Sequence, residues 1–178
     1  DGHCLGRLYS RGKYPQALSP LIRRARIAQG QALHAGVCGG RTAMTLPAGW
    51  EGPDHNFLGI DEPWCHPEQA GVYVLPAPYE HTSSYILGSD RGPSAILEAS
   101  AQVEFYDEQL GCEPFREWGG IATATTLDLQ GRVDGQAVDA IQSFVAPHVG
   151  TGRFLVTLTG EHTGALGAIR AHAKRYPD

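Results

Sequence analysis

Five consecutive residues, Thr159-Gly160-Glu161-His162-Thr163, place a carboxylate, an imidazole and two hydroxyls directly after the apolar run Phe154-Leu155-Val156-Thr157-Leu158. A short turn at the tip of a buried strand can aim an imidazole into the crevice where parallel sheets gather their chemistry. The alternative is that His162 only occupies the first turn of a following helix, satisfied by water or a neighbouring carbonyl. Glu161 is adjacent in sequence, so its side chain points elsewhere; a supporting or substrate-contacting role suits it better than that of general base. Thr163 belongs with it as a weaker candidate. Ser83 and Ser84, together with Thr82, can line a substrate loop, although turn formation accounts for the same hydroxyls. Cys65-His66 with Glu68 lacks a second Cys or His at workable spacing and reads as loop. His172 lies ten residues beyond His162, which on a helix leaves the two side chains about 80° apart around the axis.

These groups need a frame. Val72-Tyr73-Val74-Leu75 is a continuous apolar run closed by Pro76 and Pro78, the pattern of a buried parallel strand. A polar loop from Tyr79 to Gly92 follows, and Pro93 suits a first helical position because its missing N–H is not needed there. Ile96, Leu97, Ser100 and Val103 then fall on one helical face. Trp118, Gly119 and Gly120 mark a loop with a short strand next to it. Val138, Ile141, Phe144 and Val145 define an amphipathic helix that stops near Gly150. The second strand-like run, at 154–158, leads through the Thr159–His162 turn into a helix expected to turn Leu166, Ile169 and Ala173 inward, with Lys174 and Arg175 at the negative end of its dipole. Strands alternating with helices imply an α/β fold with a mainly parallel sheet, whose chemistry gathers at the carboxyl ends of the strands.

Bulk properties narrow the function classes. The chain has 178 residues, 42% hydrophobic and 19% charged, enough for one domain with a real core. Its apolar runs are strand-sized and fall short of the roughly 18 residues of a membrane span. Residues 1–43 carry seven Lys or Arg against one acid, and residues 44–178 carry seven against eighteen. An acidic body of that kind disfavours nucleic acid and anionic membrane as partners and favours neutral or cationic ligands. Cys4, Cys38, Cys65 and Cys112 are spread 34, 27 and 47 residues apart, which reads as free thiols, with one pair meeting in space as the alternative, rather than a zinc site or a secreted disulfide scaffold. No G-x-S-x-G nucleophile, dinucleotide fingerprint or phosphate loop follows either strand.

The organisation divides at about residue 52. Residues 1–52 read as a basic leader, upstream extension or disordered segment, with a native start expected near Met44, the sole methionine. An Arg-rich targeting presequence is the alternative for that stretch. One helix is compatible with it, with Ser19 as N-cap, Pro20 in the first turn and Gly36 as the stop. Residues 53–178 read as the amino-terminal part of an α/β domain.

Three ordered segments carry a resemblance. Val74-Leu75-Pro76-Ala77-Pro78-Tyr79-Glu80 is similar to the first-strand motif of agmatinases. Thr82-Ser83-Ser84-Tyr85, Gly88, Arg91-Gly92-Pro93 and Ile96 match the loop and helix start that follow it. Leu158-Thr159-Gly160-Glu161-His162-Thr163 resembles the ureohydrolase strand-end motif GGEHS or GGDHS. On these residues the chain resembles the ureohydrolase (arginase and agmatinase) family, agmatinase above all. Thr159 departs from the first glycine of the motif and Thr163 from its serine; a β-branched residue at position 159 is costly if that backbone needs positive φ.

The resemblance implies a three-layer α/β/α arginase-like fold, truncated after the first metal-ligand motif. It implies a hydrolase that releases urea from a linear guanidino cation, agmatine giving putrescine, with two Mn2+ ions activating the attacking water. His162 is then a metal ligand. The DAHxD and DxD motifs that supply the other family ligands do not occur in these residues, so the chain alone is expected to be inactive. A cytoplasmic homo-oligomer is the implied setting, with a small cationic guanidino compound as ligand and neither nucleic acid nor membrane as partner. The rival reading is a non-catalytic ureohydrolase-like domain serving in assembly or regulation.

Overall fold

The computed structural model describes residues 45–177. The helix expected between Ser19 and Gly36, the start near Met44, and Cys4 and Cys38 all lie outside these residues. Three parallel strands form one sheet: β1 (Val72–Pro76) at the centre, β2 (Ile121–Thr123) on one side and β3 (Phe154–Leu158) on the other. Val72 sits opposite both Ile121 and Phe154, so all three strands begin at one level; β1 and β3 run on together to Pro76 and Leu158, while β2 ends at Thr123 opposite Val74. Helix α1 (Gly92–Ser100) and the short α2 (Pro114–Glu117) lie between β1 and β2, α3 (Asp134–Val145) between β2 and β3, and α4 (His162–Arg175) after β3.

A parallel sheet has to be covered on both faces. On one face Tyr73, Leu75, Ala77, Ala122 and Ala124 pack with Ala137, Ile141 and Val145 of α3 and Ala171 of α4. Leu75, Ile141 and Val145 are fully buried, each contributing about 1.5–3 kcal/mol from removal of its side chain from water. The opposite face carries Val74 and Thr123. There the Thr123 hydroxyl accepts the Phe57 N–H at 2.8 Å, and α1 packs on the 3-10 turn Phe57–Gly59. The α/β layering expected from the sequence is therefore present, with the short strand after Gly120 added beside β1.

Two helices turn differently from their apolar periodicity. In α1 the buried residues are Pro93 and Ser100, while Ile96 and, beyond the helix, Val103 are exposed. Ser100 is buried because its hydroxyl accepts the Leu58 N–H at 2.8 Å and donates to the Leu97 carbonyl at 2.6 Å. In α4 the expected inward set is outward: Leu166 and Ile169 are 39% and 61% exposed, and Ala173 is exposed as well. Gly164, Gly167 and Ala171 form the buried stripe instead. A Cβ on Gly167 would stand 2.6 Å from the Ile141 Cβ and 2.8 Å from the Val138 carbonyl oxygen, so α3 and α4 approach more closely than large side chains would permit.

Residues 49–51, on the leader side of the sequence division, bond to the sheet: Trp50 bridges Ala124 in antiparallel sense and the Glu51 N–H donates to the Thr123 carbonyl. Cys65 is buried and free, whereas Cys112 is disulfide-bonded, which corrects the expectation of free thiols at that position. Among the described residues no helix is long and apolar enough to cross a membrane.

Candidate active site at the carboxyl end of the sheet

β1 and β3 end side by side, and the Ala77 N–H donates to the Leu158 carbonyl at 2.8 Å beyond the last paired residues. The loop leaving β1 and the turn leaving β3 are therefore neighbours. Gly160 permits the contact: a Cβ there would lie 2.5 Å from the Tyr79 carbonyl oxygen and 2.7 Å from the Ser89 carbonyl group. Tyr79 anchors the start of the loop, its buried phenol oxygen accepting the Asp134 N–H at the amino end of α3 at 2.9 Å.

Glu161 closes the junction. Its Oε1 accepts the Thr82 hydroxyl at 2.8 Å, the Thr82 N–H at 3.1 Å and the His81 N–H at 3.3 Å; its Oε2 accepts the Ser83 hydroxyl at 3.1 Å. The Thr82 hydroxyl also lies 3.1 Å from the hydroxyl of Thr163. Partial burial works to raise the Glu161 pKa, but the Thr82 hydroxyl and the backbone and Ser83 donors outweigh it, so the carboxyl titrates below the ordinary range. A carboxylate that accepts this many donors has little lone-pair capacity left for taking a proton from water.

Glu80, in the same loop, is pinned separately. Its Oε2 accepts the Gly88 N–H at 2.6 Å, and this bond outweighs partial burial and brings its pKa down to about 2. Gly88 has φ +116°, a conformation open to glycine and strained for any residue with a Cβ.

His162 is the first residue of α4 and is exposed; its imidazole makes no hydrogen bond to the described residues. Ser84 is exposed and outside the network. Thus the structure gathers Glu161, Thr163 and Ser83 around Thr82, sets His162 at the turn between Glu161 and Thr163, and leaves Ser84 apart. Thr159 does not have positive φ, so its departure from glycine carries no backbone strain. Sequence reasoning missed Glu80 and His81 and gave Thr82 no more weight than its neighbours. A glutamate eight residues before a glycine in a loop is the one local sign of the Glu80 turn; the partners of Glu161 lie 78–80 residues away and have none.

His162 supplies one nitrogen donor of the kind a manganese site accepts. Among the described residues no group of three or more His, Cys, Asp or Glu is arranged to hold a metal ion, so these residues do not make a complete site. Cys65 and His66 do not contribute one: both are buried, and His66 Nδ1 accepts the Glu68 N–H at 3.4 Å.

Comparison with known proteins places these features in a class. Residues 70–178 match the arginase family, and the chain belongs to that family. It is 43% identical over 106 residues to an N(1)-aminopropylagmatine ureohydrolase of Synechocystis sp., covering 57% of this chain and 34% of that protein. It is 32% identical over 115 residues to an agmatinase of Bacillus anthracis, covering 64% of this chain and 39% of that protein. Among solved structures it is similar to the agmatine ureohydrolase of Thermoplasma volcanium, at 27% identity and a TM-score of 0.47 over 58% of this chain and 34% of that one. The chain spans about a third of the length of the curated relatives it matches. The ureohydrolase resemblance and the arginase-like α/β fold expected from the sequence are both borne out by the family match over residues 70–178.

Proposed function

We infer that this chain is part of a manganese-dependent amidinohydrolase that releases urea from a linear guanidino cation, agmatine or an agmatine carrying a further amine, in polyamine formation. The observation that carries this reading is the position of His162, an exposed imidazole at the carboxyl tip of β3 in a member of the arginase family. When bound, the metal ions would supply a water acidic enough to attack a guanidinium carbon at neutral pH. The chain's own contribution is narrower. His162 offers one ligand, Glu161 and Thr163 hold the turn that carries it, and the loop through Ser83 and Ser84 forms one wall of the crevice where a cationic chain would lie. Among the described residues no further ligands are grouped with it, and this chain by itself is expected not to turn over. The acidic balance of residues 44–178 suits a cationic substrate. A cytoplasmic homo-oligomer is the setting proposed for the complete protein.

The test is urea release. This chain with Mn2+ and agmatine is expected to yield none. The complete protein carrying this segment is expected to release urea from agmatine or N(1)-aminopropylagmatine and to lose that activity with His162→Ala. Full activity in that variant would overturn the assignment of His162, and urea release by this chain alone would overturn its silence.

A further inference from the structure

We propose that Thr82 is a positioning residue for His162, and that the loop after β1 acts as an external clamp on the amino end of α4. The proposal rests on the reading of His162 given above for its functional meaning, but its geometry stands independently. Thr82 touches both neighbours of His162: its hydroxyl and N–H donate to the Glu161 carboxylate, and the same hydroxyl lies 3.1 Å from that of Thr163. One side chain thus fixes the residues before and after the imidazole from a loop that is about 80 positions away in sequence.

The helix end needs such a clamp. The first N–H groups of a helix lack intrahelical partners and are ordinarily met by the N-cap side chain. The N-cap of α4 is Glu161, in extended conformation (φ −142°, ψ 171°), and its side chain makes no capping hydrogen bond. Its carboxylate is turned across to Thr82 instead. The first turn of α4 is therefore held from outside, and residue 162 keeps its place only while the Glu161–Thr82–Thr163 bridge is closed. The loop in turn is held at its base by Tyr79 and across its neck by Glu80 with Gly88, so Thr82 is presented from a fixed support.

Hydrogen–deuterium exchange of the whole 178-residue chain tests this directly. The amides of residues 164–167 report on the first turn of α4, since they bond to carbonyls just before them. Thr82→Val keeps the shape and the backbone N–H and removes the hydroxyl; Thr82→Ser keeps the hydroxyl. Exchange at 164–167 is expected to quicken about tenfold in Thr82→Val, the size of one lost hydrogen bond to a charged group, and to stay within about twofold of the parent in Thr82→Ser. The control Ser84→Ala is expected to change nothing. Unchanged exchange at 164–167 in Thr82→Val would overturn the proposal, as would equal acceleration in Thr82→Ser or a uniform acceleration throughout the chain. Failure of the urea assay would leave these outcomes untouched, so the two readings fall separately.

Discussion

The hydroxyl of Thr159 occupies the space that a Cβ on Gly164 would need, and it is buried without a hydrogen-bond partner. Threonine stands where the ureohydrolase strand-end motif has glycine, and a glycine five residues later, in the first turn of α4, makes room for it. The two positions are one packing unit. Gly164→Ala is expected to destabilise the chain by about 1–3 kcal/mol, the usual cost of overpacking. In a Thr159→Gly background the same substitution is expected to cost much less. Urea denaturation of the four proteins of this cycle measures the coupling, and additive losses would contradict it.

The faces of α4 can be told apart by substitution. Gly167→Ala drives a methyl into Ile141 and the Val138 carbonyl and is expected to cost about 1–3 kcal/mol. Ile169→Ser, on the exposed side, is expected to stay within about 0.5 kcal/mol of the parent. Thermal melting of both variants checks the orientation, and the opposite ranking would mean that the helix is turned the other way.

β1 and β3 were legible in the sequence, because continuous β-branched and apolar runs bounded by glycine and proline have few other uses, whereas the three-residue β2 and the four-residue α2 are too short to carry such a pattern. The inward face of α4 was not. Leucine and isoleucine dominate any apolar periodicity, whereas a helix pressed against its neighbour buries the residues that let the backbones approach, here Gly164, Gly167 and Ala171. At the site, His162 stood out by type and by position after a strand. The partners of Glu161 were hidden because the sheet, and not local sequence, brings Thr82 to it. Ser100 is buried although Ile96 and Val103 of the same expected face are exposed, for a reason that also depends on a distant backbone N–H, that of Leu58.

Acid should loosen the loop. Glu80 and Glu161 both titrate below an ordinary glutamate in the folded chain, so their bonds contribute stability that is complete above about pH 4.5 and is lost as pH falls through the folded values, about 2 for Glu80. Hydrogen exchange in residues 79–88, corrected for intrinsic rates, is expected to rise between pH 5 and pH 3, and less steeply in Glu161→Gln. A pH-independent protection factor over that range would contradict the assigned bonds.

A second pH step lies at the other end of the sheet. His148 packs edge-on against Trp50 and Tyr73, and burial first, then the nearby Arg153 guanidinium, lowers its pKa below the ordinary 6.5. The neutral ring is the one that fits, so its stability contribution is full above about pH 6.5 and declines as pH falls below that value. The melting temperature is expected to drop between pH 7.5 and 5.5, and His148→Phe is expected to remove that part of the drop. An equal drop in the variant would assign the step to another group.

The central claim is that the strand-end turn aims the His162 ring into the crevice as a metal ligand. Crystals of the complete protein carrying this segment, grown with Mn2+ and measured for anomalous scattering, address it most directly. A manganese peak at bonding distance from an imidazole nitrogen of His162 is the expected result. A ring turned out to solvent, with manganese held entirely by other residues, would contradict it.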